Sequence, residues 1–469
     1  MNLSFCVCVT LLLAEPDPRS IPADERIAYV NKLTRPGEGP NAAPLYEEAV
    51  QKIVTVFDLS MRLPFDADRS GYDRVWKNDA LLVLAEQWSG PDSKIIREWL
   101  SANAASLDLI RRASDADLFH RPLSADHGRL HEALSDPGLT TGLNQLYKLA
   151  AMNANEHAMR GEWTAAYEWT QRCYRMARHA YQPPYTMLRL TGLAIERRAS
   201  EQALAFMRRE FPTAPQALLA DLRDARQALD AQQQVTQVEQ MLTLDYIEAM
   251  HAWARKPSVD PKLGEFVRFA LEDSLMQDVG QATGQAAGDG RFKSVAEFQE
   301  QIKATSVDDE WAVFQQTLTL DTRYGELHFS ELWPRIEEFR REYDSLARRS
   351  PTLWFFRSMP LFPPGQFSYL TEVPRAYRLA VEAVISLHEY RAKHGKLPKY
   401  LVDLAPDFVR AAPVDPFSGR PLVYRLTPDK KDFVLYSVGE NQVDDGGKHD
   451  PAPNSKGDLV FWPPPTSAP

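Results

Sequence analysis

The sequence predicts a mainly α-helical protein, in which a large irregular helical domain is followed by a small α+β domain with a short antiparallel sheet. From Asn41 to residue 350, apolar residues recur every three or four positions, which is the spacing of amphipathic helices. Only 421–426 and 433–438 have the composition and turn boundaries of strands. A chain of 469 residues is also too long for one hydrophobic core, because single cores stop growing near ~250–300 residues. We therefore expect at least two domains.

The overall composition indicates an ordinary folded protein that does not bind nucleic acid. Hydrophobic residues make up 44% and charged residues 25% of the chain, as in globular domains. The net charge of -10 and the pI near 5.6 disfavour a nucleic-acid partner, since phosphates require a basic surface.

The first residues carry the evidence on localisation. Leu3 to Ala14 is almost wholly apolar, too short for a bilayer, which needs about 20 residues, but suited to a secretory signal with Ala14 before the cut. No Lys or Arg precedes this run, and Leu12 is not small. A buried first element is one alternative, and a membrane anchor, if the chain begins further upstream, is another. We expect residues 1–14 to be a leader and the protein to be exported, periplasmic or envelope-associated.

Cysteine chemistry contributes little to the prediction. Cys6 and Cys8 lie in the apolar run, so Cys173 stands alone in the rest of the chain, without a partner for a disulfide or a cysteine zinc site. Arg172 and Arg175 could lower the pKa of this thiol. With no partner base in sight, a packed thiol is the favoured interpretation.

The helical domain, 41–350, follows a predicted linker at 15–40 that is rich in Pro, Asp and Gly. Its strongest unit runs from Leu143 to Ala180, where small residues allow two helices to approach closely. Within it, Arg160 to Tyr167 resembles the turn of a tetratricopeptide repeat. Because no fixed period repeats this pattern, we favour a repeat-like hairpin in an irregular domain over a true array with a concave peptide-binding surface.

Further helices are predicted at 186–210, 214–256, 260–278 and 295–349, with a glycine-rich loop at 280–290. An aromatic, proline-rich connector follows at 351–374. It either packs against the helical domain or forms an exposed patch that touches a partner or membrane.

Two histidine patterns could carry metal chemistry. His127 and His131 would share one helix face, but zinc needs a third ligand and Gly128 weakens the helix between them. An ordinary exposed pair is the favoured interpretation. His388-Glu389 begins like a zinc-protease motif, but Ala392 stands where the second histidine belongs. No catalytic residue is assigned, and an enzyme is disfavoured.

The C-terminal domain, 375–463, precedes a tail at 464–469 that is expected to be disordered. A helix runs from Arg375 to His394, and Gly395 supplies its stop. Two strands joined by a turn through Pro428 to Asp432 follow, and then an acidic loop that begins at Glu440.

This order of motifs resembles the periplasmic domain of the major pseudopilin of type II secretion systems. The matching elements are a long helix with Tyr near its end and a Gly-x-x-Pro turn, an Asp-Pro-aromatic segment, a Tyr-Ser-x-Gly strand end, and Asp-Leu before Trp; they lie at 390–398, 415–424, 436–439 and 458–462. The resemblance covers about residues 375–463. The chain as a whole also resembles a group of large bacterial envelope proteins of unassigned function that join a helical body to such a domain.

The pseudopilin resemblance implies a calcium ion in the acidic loop. Asn441 and Asp458 would fall at the ligand positions of that family, with Asp444 and Asp445 nearby. Two departures weaken the match: Asn441 replaces a carboxylate, and the loop 447–457 is longer than in the family. A solvated acidic turn is the alternative to calcium.

The favoured function is non-catalytic binding or scaffolding in the bacterial cell envelope, with a protein or peptide partner. The chain lacks the pilin leader, so we do not expect it to assemble into a filament as pilins do. An enzyme with its site in a groove of the helical domain and an accessory component of a secretion system are the alternatives.

Overall fold

The computed structural model describes residues 17–34, 38–62, 91–125, 127–134, 137–230, 235–272, 292, 294–325, 327–357, 366–450 and 457–463. The leader, the tail 464–469 and the glycine-rich loop 280–290 of the sequence analysis lie outside these residues. The chain forms two compact units, each assembled from three separate segments. Unit 1 contains the described residues of 1–33, 123–135 and 233–370, and unit 2 those of 34–122, 136–232 and 371–469.

The prediction of a mainly helical chain with a small antiparallel sheet near the C-terminus is confirmed. In chain order the helices are α1 (Arg26–Leu33), α2 (Ala43–Lys52), α3 (Val56–Met61), α4 (Pro91–Ala102), α5 (Ala104–Ser114), α6 (Leu130–Leu134), α7 (Pro137–Met159), α8 (Trp163–Tyr181), α9 (Thr186–Arg209), α10 (Pro215–Asp230), α11 (Val235–Arg255), α12 (Pro261–Glu272), α13 (Val295–Lys303), α14 (Val307–Gly325), α15 (Phe329–Leu332), α16 (Ile336–Ala347), α17 (Pro351–Arg357) and α18 (Gln366–His394). The strands are β1 (Val423–Leu426), β2 (Phe433–Ser437) and β3 (Leu459–Trp462). Among the described helices, none is long and apolar enough to cross a bilayer.

Two segments predicted as irregular are partly helical. The predicted linker 15–40 contains α1 and the 3₁₀ turn Pro18–Ser20. Pro18 starts this turn, where a missing N–H costs nothing, and the Asp17 carboxylate accepts the Arg19 N–H at 2.9 Å. The predicted connector 351–374 contains α17, whose Phe355 is buried in an apolar core. In these two segments, proline occurs at the starts of helical elements as well as in loops.

The long helix predicted at 214–256 is two helices, α10 and α11, on either side of residues 231–234, which lie outside the described part of the chain. Helix α11 is the central element of unit 1 and packs against α6, α13 and α14. Its Met250 and Trp253 join Phe298 of α13 and Phe355 of α17 in one buried apolar cluster. This apolar packing fixes the position of α11, which also carries the charged residues Asp245 and Glu248.

Unit 2 is built around consecutive helices that each pack on the next. Helix α7 contacts α8, α8 contacts α9, and in addition α7 contacts α9 and α8 contacts α10. Gly161 lies between α7 and α8 with a φ of +76°, which a residue with a side chain adopts only at a cost. Helices α7, α8 and α9 thus contact one another pairwise, and α8 also contacts α10.

Helices α8 and α9 approach so closely that one position tolerates no side chain. A Cβ added to Gly192 would lie 2.6 Å from Cε1 of Tyr181 and 3.1 Å from the carbonyl oxygen of Ala177. Both neighbours are fully buried. Glycine at this position therefore sets the distance between the two helices.

The C-terminal segment belongs to unit 2 and is in contact with its helices. The sheet has the order β1-β2-β3, with Tyr424 opposite Leu435 and Tyr436 opposite Val460. Strand β3 packs on α9, and its Phe461 lies edge-on to Tyr377 of α18, with ring centroids 4.9 Å apart. The boundaries of α9, β1 and β2 and the end of α18 agree closely with those predicted, whereas α18 begins at Gln366, within the predicted connector, rather than at Arg375. Gly395, with a φ of +72°, follows the last residue of α18 as the sequence predicts.

Replacing Gly192 with alanine should destabilise the protein, although glycine-to-alanine changes inside helices usually stabilise by about 0.5–1 kcal/mol. The added methyl would force Tyr181 or the helix backbone to move, and overpacking of this kind costs about 1–3 kcal/mol. Urea unfolding followed by circular dichroism would measure the change. Ala194→Ser, an exposed position on the same helix, is the control, and a Gly192→Ala variant as stable as this control would contradict the prediction.

Candidate functional site

A dense group of charged side chains in the described part of unit 1 surrounds His131. We call it the His131 cluster, and its members are Arg26, Arg129, His131, Glu132, Asp245, Glu248 and Asp260. Arg26 lies in α1, Arg129 directly precedes α6, and His131 and Glu132 lie in α6. Helix α11 supplies Asp245 and Glu248. The last residue directly precedes α12. Three segments distant in sequence thus meet at one place within one unit.

Asp245 is the centre of the cluster and is fully buried. Its Oδ2 accepts hydrogen bonds from the backbone N–H of His131 at 2.9 Å and from Nδ1 of the same residue at 2.7 Å. Its Oδ1 lies 3.3 Å from Nη1 of Arg26 and 3.2 Å from Nη2 of Arg129. Burial acts to raise the pKa of Asp245, but the His131 hydrogen bonds and the Arg129 charge outweigh it and hold the pKa below its usual value. Asp245 is therefore a fixed carboxylate.

Arg26 is the buried cation that balances this carboxylate. Its Nη1 and Nη2 atoms lie 2.8 Å and 2.9 Å from the two carboxylate oxygens of Glu248, a two-point geometry that only a guanidinium provides. Arg129 adds a hydrogen bond to the backbone carbonyl of Asp245 at 3.0 Å. Two guanidiniums and two carboxylates leave this inner part of the cluster electrically neutral.

The outer part of the cluster lies on the other side of the His131 ring. Nε2 of His131 is 3.1 Å from Oδ2 of Asp260, and Oδ1 of Asp260 accepts the N–H of Leu263 at 2.9 Å. A carboxylate oxygen of Glu132 lies within 4.8 Å of the facing atoms of both His131 and Asp260. The His131 side chain is 5% exposed, whereas Asp260 and Glu132 are 13% and 17% exposed, so the outer part opens to solvent.

The expectation of an exposed His127–His131 pair is wrong for His131. Gly128 has a φ of +71° and α6 begins only at Leu130, so the two histidines do not share a helix face. His127 is exposed and its Nδ1 lies 2.8 Å from the Glu132 carboxylate, whereas His131 is buried. No sequence signal pointed to Asp245 or Asp260, which lie 114 and 129 positions from His131.

The acidic loop of the C-terminal segment holds the four residues predicted to bind calcium. Asp458 is buried and accepts backbone N–H groups from Asp445 at 3.3 Å and Gly447 at 2.6 Å. The Asp444 carboxylate binds the Arg425 guanidinium at 2.6 Å and, with its other oxygen, the Tyr436 hydroxyl at 2.8 Å. Asn441 donates its amide to the Asp445 carboxylate at 2.9 Å. These contacts order the loop through protein groups.

A calcium ion would have to compete with these contacts. Among the described residues, Asp444, Asp445 and Asp458 do not bring one oxygen each to within 4.8 Å of one another. Burial and the charges of Asp444 and Asp445 raise the pKa of Asp458 above its usual value, against the two backbone hydrogen bonds that lower it. A cation would relieve that repulsion, but the present arrangement does not surround a single point. Calcium at Asn441, Asp444, Asp445 and Asp458 stays a prediction.

Asp415 explains why the Asp-Pro segment and the Tyr-Ser-x-Gly strand end occur together. Its buried carboxylate accepts hydrogen bonds from the Phe417 N–H at 3.0 Å, the Ser418 hydroxyl at 3.0 Å, the Ser437 hydroxyl at 2.8 Å and the Val438 N–H at 3.2 Å. One side chain thus closes its own turn and fixes the end of β2. These motif residues are structural.

The remaining chemical candidates of the sequence are packing residues. The ring of His388 stacks flat on Phe211, with centroids 4.3 Å apart, and burial lowers its pKa to about 4. Glu389 accepts a hydrogen bond from Gln216 at 2.7 Å. Cys173 is buried, and burial raises the pKa of its thiol. The thiol is packed, as favoured from the sequence, and the two neighbouring arginines do not lower its pKa.

Glu372 of α18 was not singled out in the sequence. Burial raises its pKa to about 7, although the Arg375 guanidinium at 3.1 Å opposes this effect. No sequence pattern marks such a residue, because the shift comes from burial by chain segments distant in sequence.

Comparison with known proteins supplies no relative for this site: no family model, no curated protein and no solved structure matches the chain. The function is therefore inferred from the residues of the chain itself.

The Glu372→Gln variant should be less sensitive to pH than the wild type. Because the pKa of Glu372 is higher in the folded than in the unfolded chain, the native state gains a stabilising proton below about pH 4.5 and loses that advantage as the pH rises through about 7. Glutamine carries no charge, so we expect the variant to be more stable than the wild type by about 1–3 kcal/mol near pH 8 and by little near pH 4.

Urea midpoints measured across this pH range test the prediction. Glu382→Gln, a half-buried carboxylate on the same helix, is the control. A stability difference between Glu372→Gln and wild type that does not grow with pH would contradict it.

Calcium, if it binds the acidic loop, should raise the melting temperature of the full-length protein. A ligand at about 100 times its Kd stabilises the folded state by about 2.7 kcal/mol. We expect the rise in wild type and its loss in Asp458→Asn, measured by thermal unfolding with calcium and with chelator. Asp407→Asn, an exposed aspartate of the same segment, should keep the rise. Identical wild-type melting with calcium and with chelator would reject the ion.

Proposed function

We propose that this protein is a non-catalytic binding or scaffolding protein of the bacterial cell envelope. In this proposal, tetratricopeptide-like helical hairpins hold a pseudopilin-like C-terminal segment in a fixed position, and that segment contacts a protein or peptide partner. The proposal keeps the localisation and the partner class that the sequence favours.

A buried ion pair between α18 and α9 is the observation that carries the proposal. Nη1 of Arg378 lies 3.0 Å from Oε1 of Glu196, and both side chains are buried. The Tyr181 hydroxyl donates to the other oxygen of Glu196 at 2.8 Å. A binding segment joined by a flexible linker would not require a buried ion pair with the helices. A scaffold that presents its binding segment in one orientation does require a fixed contact of this kind.

Contacts at the far end of α9 hold the sheet as well. Arg208 forms an ion pair with Asp432 and places its guanidinium over the Trp462 ring, 5.4 Å from the centroid. The Trp462 indole N–H donates to the same aspartate at 2.9 Å. These groups connect one end of the β2–β3 pair to α9 and support a rigid presentation of the sheet.

Several apolar side chains of the C-terminal segment are exposed. Val402 is 61% and Val414 is 45% exposed, and Tyr400 and Val443 are more than half exposed. Single exposed apolar residues are normal, whereas a contiguous group of them marks a contact surface. These exposed residues indicate where a partner should be sought.

An enzyme is the second candidate, and the His131 cluster is the observation that favours it. A buried imidazole between two carboxylates is an arrangement used in proton transfer and in metal binding. A role as a secretion-system accessory component rests on the pseudopilin resemblance alone.

Site-specific photo-crosslinking in the native bacterium tests the scaffolding proposal. We expect a photoreactive residue at Val402 or Val414 to give a discrete adduct with one envelope protein. Lys94, which is 81% exposed on α4 of the same unit, serves as the control position and should give none. Val414→Asp should weaken the Val402 adduct without changing the circular dichroism spectrum. Recovery of the protein from the cytoplasmic fraction, or the same adducts at all three positions, would contradict the proposal.

A further inference from the structure

We propose that His131, Asp260 and Glu132 form a binding site for a divalent transition-metal ion of the zinc class, with Asp245 as the residue that orients the histidine. This site lies wholly within unit 1 and goes beyond the scaffolding function, on which it does not depend.

The first argument is the environment of the His131 ring, which faces a carboxylate oxygen at each nitrogen. A neutral imidazole donates one hydrogen bond and accepts at its other nitrogen. Asp245 faces Nδ1 at 2.7 Å, and Asp260 faces Nε2 at 3.1 Å. When Nδ1 donates to Asp245, the lone pair of Nε2 is directed at the Asp260 carboxylate. A metal ion bound to both atoms would satisfy this geometry.

The second argument is the spacing of the facing atoms. Zinc binds imidazole nitrogen at about 2.0–2.1 Å and carboxylate oxygen at about 2.0–2.2 Å in tetrahedral geometry, which separates two ligand atoms by about 3.3–3.5 Å. Nε2 of His131 and Oδ2 of Asp260 are 3.1 Å apart, and a Glu132 oxygen lies within 4.8 Å of the other two ligand atoms. Movements of a few tenths of an ångström for the first pair, and a rotamer adjustment of Glu132 that exchanges its contact with the exposed His127 for the ion, would complete the triangle.

The third argument is that His131 and Asp260 are each fixed by a hydrogen bond on the side that faces away from the proposed ion. The buried Asp245 carboxylate fixes Nδ1 of His131, and the Leu263 N–H at the start of α12 fixes Oδ1 of Asp260 at 2.9 Å. A carboxylate that accepts from the far nitrogen of a histidine is the usual partner of a metal-bound imidazole. Asp245 cannot turn toward the ion itself, since Arg26 and Arg129 hold its other oxygen.

Charge balance favours a divalent ion. The inner part of the cluster is neutral, because Arg26 and Arg129 offset Asp245 and Glu248. The outer part adds the carboxylates of Asp260 and Glu132, which are two negative charges in a half-buried place. One divalent cation balances them.

The donor set indicates which class of ion fits. One imidazole nitrogen and two carboxylate oxygens suit zinc and neighbouring transition metals, whereas calcium and magnesium prefer oxygen ligands alone. Three protein ligands leave a fourth position for water or for a group of a bound molecule. The partly exposed Asp260 and Glu132 side chains give the ion a path from solvent.

Titration of the metal-stripped, full-length protein with zinc, followed by isothermal calorimetry, tests the proposal. We expect one tight site per chain in wild type and at least a tenfold weaker affinity in both Asp260→Asn and Glu132→Gln. Circular dichroism should show that the variants are folded. Glu132→Gln is expected to disturb folding less than a change at a fully buried residue, because the Glu132 side chain is partly exposed. Cobalt(II) absorption gives an independent readout, and we expect a tetrahedral spectrum in wild type that Glu132→Gln loses.

His157→Gln is the matched control, because His157 and Glu162 form an exposed histidine–carboxylate pair in unit 2, 2.6 Å apart. This variant should bind zinc as the wild type does. Loss of the ion in His157→Gln with retention in Asp260→Asn would assign the ion to the exposed pair and overturn the proposal. Absence of stoichiometric zinc binding in the wild type would overturn it as well.

Discussion

The buried pair of Glu196 and Arg378 is the constraint on which the architecture of unit 2 depends. Removing a carboxylate and a guanidinium from water costs several kcal/mol for each ion, and only good geometry with further hydrogen bonds offsets that cost. Tyr181 donates to the same carboxylate and offsets part of this cost, but burial outweighs both partners and raises the pKa of Glu196 above its usual value. Glu196 on α9 without Arg378 on α18 would be a buried charge with no counterion. The packing of α9 therefore depends on α18 and on α8, which carries Tyr181. Because α18 is held against α9, the sheet that follows α18 in the chain also packs on α9 through β3.

Local patterns in the sequence were enough to predict much of this fold. The extent of α9 follows from apolar spacing, the end of α18 from Gly395, and β1 and β2 from short runs bounded by turns. The start of α18 at Gln366 was not predicted, because it lies in a segment with the composition of a connector. Helix α1 was missed because its surroundings have the composition of a loop, with Pro18 and Pro22 just before it. Its buried Arg26 reveals its role only when Asp245 and Glu248 of α11 are present. The grouping of segments into two units depends on such distant contacts, which no local pattern contains.

The candidate sites also differ in how much of each can be predicted from local sequence patterns. Asp415 and Ser437 lie in recognisable motifs only 22 positions apart, and the structure joins them directly. His131 was noticed for its spacing from His127 but was expected to be exposed, because the sequence does not show that Gly128 turns the chain and separates the two rings. Asp245 and Asp260 carry no local signal at all. A buried polar cluster whose members come from separate segments can be found only after the segments are placed together.

The alternation of the two units along the chain has a consequence for synthesis on the ribosome. Chain growth proceeds at about 5–20 residues per second, and domains generally fold as they emerge. Glu196 leaves the ribosome long before Arg378, which is 182 positions later, and the whole of 233–370, which belongs to unit 1, is made in between. The first helices of unit 2 must therefore remain incomplete for many seconds, with apolar faces uncovered, until the last part of the chain arrives. Such a protein has a long period of exposure to aggregation and a corresponding need for chaperones.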